Sequence, residues 1–216
     1  MTQPRQPVRV AVNVMRARLT LVGFNIAVIT FQLGAVPRLP GAVPLPELGR
    51  SVHLATDITL LIGLAVSVIA MICFILSSAL DEQGSCDHWS LLVGDILMFL
   101  GLAQSISGFF QPYMAVLDAL APAPPGTTAS LTTIHAATLT SGGVAWLSAI
   151  YLGPVISLLR SPFGRAATLA AAGAYLLLLL GLAQVGVEAM RFEAAHRDAD
   201  TTSFSIMGEL VQPLRW

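Results

Sequence analysis

Apolar residues in this chain come in long blocks rather than in alternation or as a single amphipathic stripe. The first block is LTLVGFNIAVITFQLGAV at 19–36, and others occupy 54–80, 89–117, 131–159 and 166–188. Crossing the hydrocarbon core of a bilayer takes roughly 20 helical residues. A barrel strand needs only about 10 residues with a period of two, and no block shows that alternation. The pattern predicts an all-α, polytopic transmembrane helix bundle of five spans, or four if the last block tilts or ends early. Residues 1–190 then form a single transmembrane bundle, and 191–216 a polar C-terminal tail.

The connections between blocks are short. PRLPGAVPLPELGRSV at 37–52 is too rich in proline to be helical throughout. DEQGSCDH at 81–88 is a compact acidic loop, 118–130 a Pro/Gly/Ala linker, and RSPFGR at 160–165 a basic turn. None can house a soluble catalytic domain, so any chemistry belongs inside the bundle or at its rim.

Composition agrees with the pattern. The chain is 55% hydrophobic and 11% charged, against about 25% charged in a soluble domain. A lipid bilayer is therefore its expected surrounding. A net charge of -1 gives no reason to expect a nucleic-acid partner. The basic residues are all arginines, which removes Schiff-base lysine chemistry. Arginine-only usage with abundant Ala, Gly, Leu and Val suggests a GC-rich bacterial genome, and hence a bacterial inner membrane. Cys73 and Cys86 form no CxxC motif and read as two free thiols.

Arginine placement sets the expected orientation. Arg16 and Arg18 abut the first block, and Arg160 and Arg165 fill the basic turn. Both places come to the cytoplasmic side if the N-terminus is cytoplasmic. Arg38, Arg50, Arg191, Arg197 and Arg215 then lie outside. A cleaved signal peptide is the weaker reading of the first block, because its apolar run is long and no A-x-A site follows.

Polar residues inside such blocks are expensive, and they mark sites or helix contacts. Three groups stand out. At the outer end, His53 and Asp57 share one face of the second span, His135 opens the fourth, and Gln184 and Glu188 close the fifth, with Gln32 near the end of the first. Imidazoles and carboxylates together can ligate a metal, so His53, Asp57, His135 and Glu188 are candidate ligands. His53 and His135 alone would suit a haem iron. The simpler alternative is a set of interfacial residues at helix ends, with Asp57 favoured by a helix dipole. At the inner end, Asp81, Glu82, Asp87 and His88 lie below Asp95 and resemble a cation-attracting vestibule. In mid-membrane, Asn25, Gln104 and Ser105 can bond across helices or form a wet stripe, together with Ser107, Thr138, Thr140, Ser141 and Ser148. Pro154 should free the carbonyl near Ile150.

GxSxG, P-loop, HExxH and GxGxxG motifs are absent, which argues against an enzyme. The sequence names no cofactor. It favours a channel- or transporter-like conduit for a cation, a proton or a small solute. The alternatives are a metal- or haem-binding redox subunit using His53 and His135, and a non-catalytic structural subunit of a larger complex. A homo-oligomer or a membrane complex is the expected assembly.

Overall fold

The first apolar block folds as α1, Val12–Ala35, in a computed structural model that describes residues 12–36, 43–45, 50–82, 88–121, 128–196, 204–214 and 216. The proline-rich stretch that follows contains a short antiparallel hairpin, in keeping with a stretch that is not helical throughout. It is formed by β1 (Val43–Leu45) and β2 (Arg50–Val52), with Val43 opposite Val52. The chain then forms α2 (Leu54–Glu82), α3 (His88–Ala119) and α4 (Thr128–Leu147). A π-helical turn (Ser148–Leu152) joins α4 to α5 (Gly153–Leu159), and α6 spans Arg165–His196. α4, the π turn and α5 form one continuous rod. Five helical rods are thus long and apolar enough to cross a membrane, as the blocks predict. The architecture is that of a multi-pass membrane protein. Its basic end carries Arg18, Arg160 and Arg165, and its hairpin end carries β1 and β2.

α2 and α3 form the heart of the bundle. Leu60, Ala70 and Phe74 of α2 and Leu100 and Ala103 of α3 are completely buried. Their close approach needs a glycine: a Cβ at Gly101 would collide with the Ser67 hydroxyl. The outer faces are apolar. Phe31 is 76% exposed, and Leu169 and Leu177 are each 72% exposed. Water would penalise such a surface, whereas lipid does not.

The break in the fourth rod follows from one residue. Pro154 has no N–H to give to the Ile150 carbonyl. The helix widens there, and the Gly153 N–H reaches back to Ser148 O in the π pattern. The orphaned carbonyl accepts from the Tyr175 hydroxyl of α6 at 2.5 Å. Pro154 thereby fastens the fourth rod to the fifth.

The stretch read as a polar tail, 191–216, is divided. Residues 191–196 continue α6, whose Ala194 is still buried. Further on, the chain turns back into the bundle as α7 (Ile206–Leu210) and a 3-10 turn (Gln212–Leu214). Ser205 caps α7 by accepting from the Gly208 N–H at 3.1 Å. Pro213 packs over Gly143. Trp216 stacks on Phe110 with ring centroids 5.8 Å apart, and Phe110 lies against Gly142. The physical reason is amphipathy: Leu210, Pro213 and Trp216 turn apolar surface inward, and Glu209 and Gln212 find partners inside, while the buried Trp216 Nε1 has none among the described residues.

Candidate functional site

At the basic end, Arg18 of α1 grips Asp95 of α3. Its Nη2 donates to Oδ2 at 2.7 Å, and its Nε lies 2.7 Å from Oδ1 but off the hydrogen-bond axis. The guanidinium also lies 5.6 Å from the centroid of the Phe74 ring. Asp95 is therefore charge-compensated by a neighbouring helix. Asp81 and Glu82 close α2 and His88 opens α3, while Asp87 lies outside the described residues.

In the middle, Asn25 bridges three helices. Its Nδ2 donates to Ser67 Oγ at 2.9 Å, and its Oδ1 accepts from Ser105 Oγ at 2.6 Å. All three side chains are buried. With donors and acceptors satisfied by one another, they act as interhelical glue. Gln104, one residue before Ser105, faces a different side of α3, because neighbours on a helix are rotated by about 100°.

That side holds a small chamber between α2, α3, the fourth rod and α6, whose largely apolar walls carry several polar groups. Its volume is about 30 Å³, enough for one or two water molecules. Thr59, Gln104 and Tyr151 line it, and the returning segment closes it with Glu209 and Gln212. Glu209 is only 8% exposed, and its Oε2 accepts from Gln212 Nε2 at 2.8 Å. The close fit of this carboxylate requires Gly186, where a Cβ would come within 2.7 Å of Oε2. Gln212 Oε1 in turn accepts from Ser107, and the Tyr151 hydroxyl donates to Leu210 O. Trp146 shares the wall, and its buried Nε1 has no hydrogen-bond partner among the described residues. The chamber thus presents a carboxylate, neutral oxygens and a spare N–H donor. Sequence reasoning missed Glu209, although Ser205 as a helix cap before an apolar run was a readable signal.

The anticipated residues of the hairpin end differ in burial and in partners, and the Oε1 of Gln32 has no hydrogen-bond partner among the described residues. His53 is buried, and its carbonyl accepts from the Asp57 N–H at 2.8 Å. Asp57 and His53 both make further interactions. His135 Nε2 lies 3.3 Å from Asp118 Oδ1 across the α3–α4 junction. Glu188 accepts from Gln184 at 2.9 Å and from Arg191 at 3.3 Å on the exposed face of α6. Gln32 is buried on α1. Among the described residues, no three His, Cys, Asp or Glu side chains stand together as a metal site. The α6 carboxylate that reaches α2 is Glu193, whose Oε1 accepts from the Ala55 N–H at 2.9 Å. It meets the positive end of the α2 dipole.

Compared with known proteins, the chain matches no family model, no curated protein and no solved structure.

Proposed function

We propose that this bundle is a membrane conduit for protons or a small cation, with Glu209 as the group the ion visits. The observation that carries the proposal is the buried Glu209 carboxylate beside a water-sized chamber in the bundle interior. An ionisable side chain at membrane depth costs free energy, and proteins keep such groups chiefly where a charge is handled. The oxygens of Thr59, Gln104 and Tyr151 around the chamber suit a hydrated proton or a hard cation. The adjacent π turn supports the same reading, because such turns are frequent at functional sites.

The test is flux into liposomes loaded with a pH-sensitive dye, run with the purified protein and with Glu209→Gln. Under this proposal the native chain dissipates an imposed pH or potassium gradient, and Glu209→Gln slows it at least about tenfold, as expected for a group acting in proton transfer. Gradients that persist with the native chain, or that collapse equally fast with Glu209→Gln, overturn it.

A second reading, a subunit of a larger membrane assembly, has one observation in its favour. The outward half of α4 leaves Thr133, Ala136, Ala137 and Thr140 exposed along an open groove, and small residues of this kind let helices approach closely. Disulfide trapping with Ala137→Cys in native membranes tests it, a cross-linked species being the supporting result.

A further inference from the structure

A cleft of about 360 Å³ opens at the basic end between α1, α3 and α5. Its polar lining comprises Arg18, Asp95, Ser157, Arg160 and Ser161. Two guanidinium charges against one carboxylate leave the cleft one unit positive. Arg18 is committed to Asp95, whereas the Arg160 guanidinium makes no interaction among the described residues. The Ser157 hydroxyl is likewise unengaged by described groups, and that of Ser161 accepts from the Phe163 N–H at 3.3 Å, which leaves its own O–H free to donate. The walls deeper in the bundle are apolar: Leu92, Met98, Phe99 and Ile156.

From this arrangement we infer that the cleft binds the phosphate ester of an anionic phospholipid. Arg160 and the two serine hydroxyls hold the phosphate, and the apolar walls take the first part of an acyl chain. The argument has three parts. A guanidinium presents five donors in a planar fork matched to phosphate oxygens. One uncompensated positive charge selects an anionic headgroup over a zwitterionic one. A polar rim above an apolar wall matches an amphiphile and not a small soluble anion, and basic clefts between spanning helices are suited to such headgroups. The site is separate from the Glu209 chamber and stands or falls independently of it.

The experiment is native mass spectrometry of the purified chain in detergent, with dioleoyl phosphatidylglycerol, dioleoyl phosphatidylcholine or sodium phosphate added separately. Phosphatidylglycerol should be retained preferentially. Arg160→Gln should weaken retention roughly tenfold, the loss expected for removing a charge-assisted hydrogen bond. Arg165→Gln, which removes a charge at the same end but outside the cleft, should leave retention unchanged. Melting of lipid-free Arg160→Gln at the native temperature shows that the variant folds; if it melts lower, Ser157→Ala serves as the second variant and should weaken retention in the same direction. Equal retention of phosphatidylcholine, equal loss in Arg165→Gln, or equal retention of sodium phosphate overturns the assignment.

Discussion

Breaking the Arg18–Asp95 pair tests whether the first helix is fastened to the third by charge. Two opposite charges about 4 Å apart attract by about 4 kcal/mol at an effective dielectric near 20. The side chains here are 23% and 14% exposed, so part of that attraction is screened. Removing one partner of a buried pair costs about 3–5 kcal/mol, and partial exposure places this case near about 2–3 kcal/mol. The two single substitutions should differ. In Asp95→Asn the long Arg18 side chain can extend to the headgroups. In Arg18→Gln the short Asp95 side chain cannot, and the contact with Phe74 is lost as well, worth about 0.5–1 kcal/mol. Arg18→Gln should therefore be the more damaging. The double variant should recover most of the loss, since no uncompensated charge remains. Unfolding by dodecyl sulfate titration in mixed micelles measures all four proteins as a double-mutant cycle. Strictly additive losses, with a coupling below about 0.5 kcal/mol, would refute the ion-pair reasoning.

Three further outcomes follow from the geometry. Tyr175→Phe strips the Ile150 carbonyl of its donor and should cost about 1 kcal/mol in the same titration, with a smaller cost in a Pro154→Ala background, where a backbone N–H is restored. Gly101→Ala should destabilise by about 1–3 kcal/mol through overpacking against Ser67, whereas Gly173→Ala, which meets nothing within 4 Å, should be tolerated. A topology reporter fused after Arg165 should read as cytoplasmic and one after Arg197 as external, because arginines flanking short loops are retained inside; the reverse pair of readings would invert the orientation.

What could be read from the residues is what depends on local sequence. Apolar runs of spanning length become helices whatever surrounds them, because backbone polar groups in lipid must be satisfied within the segment. The freed carbonyl at Ile150 was legible from Pro154 for the same reason, although its partner Tyr175 was not. Asn25 was legible from its depth as a candidate for interhelical bonding, with a wet stripe as the alternative reading. The pairings that depend on helix rotation were not legible. Glu188 and Glu193 both lie near the end of α6, but only the phase of the helix decides that Glu193 turns to α2 while Glu188 faces outward. Arg18 and Asp95 each read as separate features, a flanking cation and a deep acid, because nothing in the chain states that α1 and α3 touch. Glu209 was hidden most completely. Its burial rests on a fold-back that follows α6 after a polar stretch, and nothing local states that the segment returns into the bundle.

That fold-back also has a consequence for how the protein is made. The residues that close the interior chamber follow α6 in the chain, so they leave the ribosome after the five spanning helices described above. Insertion can proceed helix by helix, yet the chamber walled by Glu209 and Gln212 stays open until residues 206–214 arrive. During that interval Ser107 and Tyr151 lack the acceptors that Gln212 and Leu210 later supply, and the glycine faces at Gly143 and Gly186 stand uncovered. A nascent chain stalled after His196 should therefore hold these five spans and still be recognised as unfinished by membrane quality-control proteases. Closure of the chamber thus follows insertion of these spans, and the segment that closes it carries the group proposed to handle the ion.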